Sequence, residues 1–376
     1  MKPTLLRWAR ERAGLSAADL APRFPKLDLW EREEEKPTLK QVERFAKATY
    51  TPVGYFFLPT APSEDLPLPD FRTVAGRNLA RPTANLLDTI YVCQQRQAWY
   101  QEYARSIGVT SHTFVGSADL ADDIETVAGR MRDTLRFEVD ARAALSTWTE
   151  ALRQFIAQAD TIGVLVMCSG VVLNNNRRAL DPEEFRGFAL ADKIAPLVFI
   201  NGADSKAAQM FTLAHELAHL WLGQSALSDA DASRVPGHDV ERWCNRVAAE
   251  LLVPLDVLRE ELRRGESLDS QISRLALRFK VSTLVVLRRL SDAGRLTRAE
   301  LREAYDAELE RLTPRMKSSG GDFYLTQAAR VSKRFARTLV SSTLEGQTLY
   351  RDAMRLLGIS KVKTFHELGE SLKFTP

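Results

Sequence analysis

The chain has 376 residues, 45% hydrophobic and 27% charged, which predicts an ordinary soluble globular protein with room for two or three domains. Its net charge of +3 is small for this length and singles out neither nucleic acid nor a membrane surface as a partner. Cys93, Cys168 and Cys244 are too few and too scattered for a disulfide framework or a cysteine-built metal site, and they suit a reducing cytosol.

Met1-Lys2-Pro3-Thr4 leads into a charged amphipathic stretch, so no secretory leader is expected. No apolar run approaches the roughly 18 residues of a membrane span, and the expected compartment is the cytoplasm. Residues 3–13 place Leu5, Leu6, Trp8 and Ala9 at helical spacing, Gly14 stops that helix, and Ser16 caps the next. A further helix runs through Leu39, Val42, Phe45 and Ala46 and ends before Thr51-Pro52. Pro59, Pro62, Pro67 and Pro69 then mark a linker.

Helices are expected at about 83–107, 119–135 and 140–159, followed by strands at about 163–168, 185–190 and 197–201. The next helix, about Lys206 to Leu222, carries the chemistry, and helices continue to the C-terminus with a turn at Ser318-Ser319-Gly320-Gly321. The expected divisions are 1–60, 61–150, 151–265 and 266–376.

Within Phe211-Thr212-Leu213-Ala214-His215-Glu216-Leu217-Ala218-His219-Leu220 lies H-E-x-x-H. Residues four apart share a helix face, so the imidazoles of His215 and His219 can converge on one ion. Glu216, one step round, can reach a water on that ion and take its proton during attack on a carbonyl. Zinc lowers the pKa of such a water towards about 7.

A catalytic zinc wants three protein ligands and an open position. Downstream, Val240, Trp243, Cys244, Val247, Ala248 and Leu251 mark an amphipathic helix bearing Glu241 and, one turn on, Asn245. This E-x-x-x-N is similar to the E-x-x-x-D of zincins in which glutamate binds metal and the second residue orients a ligand histidine. Glu250 is the rival ligand. It lies nine residues beyond Glu241, about 180° round the helix, so the two cannot both face the metal. His238, within one turn of Glu241, reads as a surface histidine that could serve as an oxyanion stabiliser.

Together, Leu197-Val198-Phe199-Ile200-Asn201, Met210 to His219 and Glu241 to Pro254 resemble the ImmA/IrrE family of metallopeptidases. The resemblance is strong over about residues 160–260. It implies an α+β fold, predominantly helical, with a minimal zincin whose short sheet lies beside the H-E-x-x-H helix between helical flanks. It also implies bound Zn2+, Glu241 as third ligand, and cleavage of a regulatory protein such as a helix-turn-helix repressor. Manganese suits two histidines and a carboxylate as well.

The first 60 residues resemble the repressor-type (XRE-type) helix-turn-helix often fused to such peptidases. Between Ala21 and Trp30, however, two prolines stand where the recognition helix belongs, and the acidic run Glu31 to Glu35 would repel phosphates. A degenerate, protein-binding or purely structural version is thus as well motivated as a DNA reader. Leu275 to Leu290 reads as a second helix-turn-helix-like segment, with Ser282 as cap and Arg288 and Arg289 facing outward. From residue 311 to the end, 12 Lys+Arg stand against 5 Asp+Glu, and Arg330, Lys333, Arg334 and Arg337 fall on about one helical face.

Two functions fit these features. One is a zinc endopeptidase with Glu216 as general base. The other is a transcriptional regulator or antitoxin-like binding protein, with DNA or a toxin as partner and a structural or vestigial metal site.

Overall fold

The computed structural model describes residues 2–70, 82–228, 238–312 and 323–372, and over these the chain is α+β, mostly helical with one four-stranded sheet. It divides into two compact units, Met1–Pro67 with Gly76–Tyr91, and Leu68–Ala75 with Val92–Pro376.

In the first unit, helix Pro3–Arg12 ends at Gly14, whose φ of 67° suits a residue without a Cβ. Reciprocal capping by Ser16 with Asp19 and by Thr38 with Gln41 starts helices Ala17–Leu20 and Leu39–Ala48. Between them the two prolines leave room for a five-residue helix, Leu27–Glu31, which turns Leu27 and Trp30 inward. The core joins Leu5, Leu6, Phe24, Trp30, Val42, Phe45 and Phe56, with Phe24 edge-on to both Trp30 and Phe45.

In the second unit, strands β1 (Leu165–Ser169), β2 (Gly187–Leu190), β3 (Leu197–Asn201) and β4 (Ala226–Ser228) lie in the order β1-β3-β2-β4. β1 runs parallel to β3, while β2 is antiparallel to both β3 and β4. β2, β3 and β4 are buried at every position, as expected of strands covered on both faces. The helix expected over 140–159 is two, Val139–Ala143 and Trp148–Thr161. Thr147 restarts the chain by capping the second reciprocally with Glu150.

Helix Lys206–Leu222 starts at a Ser205 cap and stops at Gly223, which takes a φ of 69°. Every residue from Gln209 to Trp221 is buried, because the helix is enclosed by β2 and β3 on one side and by helices Trp148–Thr161 and Asp239–Leu252 on others. Gly187 permits this close approach. A Cβ there would lie 2.6 Å from Thr212 Cγ2 and 2.8 Å from the Phe199 carbonyl oxygen. One apolar core runs from Phe114 to Leu290 and includes helices Ile124–Leu135, Leu268–Phe279 and Thr283–Asp292.

Two features of the C-terminal region differ from expectation. Ser282 does cap Thr283–Asp292, but Arg289 points inward, because its guanidinium pairs with the buried Glu250 carboxylate and donates to the Val253 carbonyl. The four basic residues from Arg330 to Arg337 do not share one helix. Ser332, with φ of 69°, separates Phe323–Val331 from Lys333–Leu344. Arg330 donates to Asn174 Oδ1 at 2.9 Å, and Arg334 donates to the Asp160 carbonyl. The Ser318–Gly321 turn lies outside the described residues. Among those residues, no helix is long and apolar enough to cross a membrane.

Candidate metal centre

Two helices build the site. Lys206–Leu222 presents His215 and His219 one turn apart, and Asp239–Leu252 lies against it and presents Glu241. The His215 and His219 Nε2 atoms are 3.1 Å apart. Glu241 places one oxygen 3.1 Å from the first and the other 3.0 Å from the second. Donors on a tetrahedral ion with bonds of about 2.0–2.1 Å sit about 3.3 Å from one another, so this donor set fits one divalent cation.

The electrostatics agree with that fit. Asn245 Oδ1 lies 2.8 Å from His215 Nδ1. With the amide oxygen accepting, Nδ1 carries the hydrogen and Nε2 turns its lone pair to the cluster. Burial alone would raise the Glu241 carboxyl, but the two histidines hold it well below the usual carboxylate range. Burial also pulls against His215, yet the charge and hydrogen bond of Glu241 raise it. For His219 burial prevails and lowers it. The group therefore holds a carboxylate beside two imidazoles in a dry interior, where such a charge needs a partner.

Glu216 stands apart from these three. It is fully buried, and neither carboxylate oxygen has a hydrogen bond of ordinary geometry. Burial pushes its pKa up to about 8, with His215 and the nearby Ser228 hydroxyl pulling the other way and Glu241 adding to the rise. In its ionised form such a group, beside a cation site, can accept and return a proton.

The remaining candidates are not in the cluster. Glu250 is on the opposite side of its helix, paired with Arg289 and accepting from the Leu255 amide at 3.3 Å. His238 is exposed and occupies the cap position of Asp239–Leu252.

Sequence reasoning missed the clamp on the far end of that helix. Arg132, Arg142 and Arg289 donate to the carbonyls of Glu250, Leu252 and Val253 at 2.8, 2.5 and 2.9 Å, where the helix dipole is negative. No periodicity marks them, since they come from three separate helices. It also missed Ser228, whose strand is only three residues long. The Ser228 Oγ lies 3.3 Å from His219 Nε2.

Residues 159–291 match the peptidase M78 family, described as the IrrE N-terminal-like domain, and residues 331–371 match a domain of unknown function. The comparison with curated proteins returns no match. The peptidase match covers the sheet, both helices of the centre and the Thr283–Asp292 helix that carries Arg289.

Proposed function

We propose that the chain is a zinc-dependent endopeptidase cleaving a specific regulatory protein, such as a helix-turn-helix repressor, in the cytoplasm. The observation that carries this reading is the buried Glu216 carboxylate, beside the group of His215, His219 and Glu241 but outside it. A bound divalent metal would supply a Lewis acid and make water nucleophilic near neutral pH.

The protein's own residues do the rest. His215, His219 and Glu241 hold the ion, and Asn245 keeps His215 in the ligating tautomer. Glu216 takes a proton from the attacking water at a carboxylate oxygen and passes it to the departing amine nitrogen. Three free cysteines are consistent with a reducing compartment.

In the first unit, a cleft of about 460 Å3 lined by Leu6, Trp30, Leu39, Val42 and Phe57, with Glu33 and Glu35 at its side, offers anchors for an apolar segment of a protein substrate. Leu27–Glu31 is short and followed by acidic residues, which favours a protein over DNA as what this unit selects.

The test compares cells carrying the wild type or Glu216→Gln by profiling newly formed protein N-termini. A small set of fragments seen only with the wild type is expected. Identical profiles, with both purified proteins loaded with metal, would remove the peptidase reading.

The complete burial of His215, Glu216 and His219 favours a second reading, a regulator or antitoxin-like binding protein with a structural metal site. Against it stands Glu216, for which a structural site has no use. Under that reading Glu216→Gln leaves the cellular phenotype intact, while loss of the metal ligands unfolds the domain.

A further inference from the structure

Ser228 ends the edge strand β4 and is fully buried. Its position follows from strand register, because Gly187 of β2 and Ser228 are direct partners across the antiparallel pair. Residues directly opposite one another in such a pair share a face of the sheet. Gly187 identifies that face: a Cβ built on it would lie 3.1 Å from Glu216 Oε1. The side chain of Ser228 is therefore on the face that meets Glu216. A slip of one residue would bring Leu227 there instead.

A ring nitrogen of imidazole offers a single in-plane lone pair or a single hydrogen. Yet three polar atoms from three elements gather round His219 Nε2. His215 Nε2 lies at 3.1 Å, Glu241 Oε1 at 3.0 Å and Ser228 Oγ at 3.3 Å. One hydrogen cannot serve all three, whereas a cation on that lone pair would collect them. The His219-to-Ser228 spacing is the roughly 3.3 Å edge of a tetrahedral donor set. Histidine, histidine and glutamate would supply three corners, and the hydroxyl is a further polar group beside His219 Nε2 that none of these three provides.

Building on the metal-centre reading above, we propose that Ser228 is a positioning residue for the fourth corner of the centre. Its hydroxyl holds the oxygen atom that enters there and turns it towards Glu216. The serine keeps its proton throughout; it donates or accepts a hydrogen bond and forms no covalent bond to substrate. The ordinary alternative is a serine that merely satisfies a buried strand end by bonding a histidine. That role would give it no dependence on metal.

Cobalt(II) reports on the corner directly. The purified full chain, freed of metal and reloaded with Co2+, is examined as wild type, Ser228→Ala and Ser228→Thr. Visible d–d bands of a low-coordinate site are expected in the wild type; their absence would overturn the metal-centre reading itself. Given those bands, Ser228→Ala should shift their positions and intensities, because the oxygen at the open corner loses its hydrogen-bond partner, while Ser228→Thr should keep the wild-type spectrum. A Ser228→Ala spectrum identical to the wild type would overturn the assignment of Ser228 alone.

Ser228→Ala should weaken zinc on the order of tenfold in chelator competition, the scale of losing a group that orients a metal site, with Ser228→Thr restoring most of it. The metal-free Ser228→Ala chain should melt with the metal-free wild type. An equal drop in stability with and without metal would identify the ordinary structural serine.

Discussion

The Glu250 carboxylate and the Arg289 guanidinium meet inside the second unit with both side chains only 5% exposed. This pair separates two acidic residues of one helix into different duties. Glu241 faces the histidines, and Glu250 anchors the helix to Thr283–Asp292. Removing one partner of a buried pair leaves the other uncompensated, at a cost of about 3–5 kcal/mol. Glu250→Ala should therefore lose stability of that order in denaturant melts while binding metal one-to-one. Glu241→Ala should retain the fold and lose the metal. Metal analysis beside the melts decides it, and the reverse pattern would exchange the two roles.

Asn245 sets the hydrogen on His215 without touching the ion position. Asn245→Ala should lower zinc affinity by about 10–100-fold, the usual scale for such an orienting partner. Asn245→Asp should be far milder, since a carboxylate accepts the same hydrogen. Competition with a coloured chelator measures both, and equal losses would argue against the tautomer role.

Gly187 leaves no room for even one methyl group between β2, Thr212 and Glu216. Gly187→Ala should push the helix off the sheet and cost about 1–3 kcal/mol, the range for overpacking a filled core. A crystal structure of the variant should show Glu216 moved more than Glu241. An unchanged melting point would mean that the helix tolerates the shift without strain.

In the metal-free chain the Glu216 carboxyl sits at about 8, far above its ordinary value of 4.5. An acid raised by folding stabilises the fold while protonated. That contribution is complete below the unfolded value and is lost as pH rises towards the folded one. The metal-free wild type should accordingly lose melting temperature between about pH 5 and pH 8 relative to Glu216→Gln, which has no carboxyl to ionise. The two variants share His215, His219 and Glu241, so their difference isolates Glu216. Parallel melting curves across this window would show that the carboxyl is already ionised in the fold.

Much of the site was legible because its chemistry fixes its spacing. Two imidazoles one helical turn apart, with a carboxylate between them, need only a helix to be brought together. The opposition of Glu241 and Glu250 followed from nine residues of helical rotation. The break at Ser146-Thr147 was missed, although Thr147 and Glu150 have the spacing of a reciprocal cap.

Other features depend on contacts between distant segments. Nothing in Ala226-Leu227-Ser228 alternates over enough residues to announce a strand, so Ser228 becomes visible only once β2 has paired with it. Arg289 reads as a surface residue of a helix-turn-helix, and only the approach of Glu250 turns it inward. The helix pattern around Arg330 to Arg337 continues smoothly through Ser332, where the backbone breaks.

The continuous core has a practical consequence for anyone wishing to isolate the portion that carries the His215, His219 and Glu241 group. The family match begins at residue 159, but the helix that bears Glu241 is packed by Ile124–Leu135 and clamped by Arg132 and Arg142, all upstream of that point. Excising 159–291 would remove Ile124–Leu135 from that helix and leave the Glu250 and Leu252 carbonyls without their arginine donors. Such a fragment would be sticky and short-lived in solution. The stretch recognised by sequence is thus smaller than the piece that must fold together, and a sound truncation would start before Phe114.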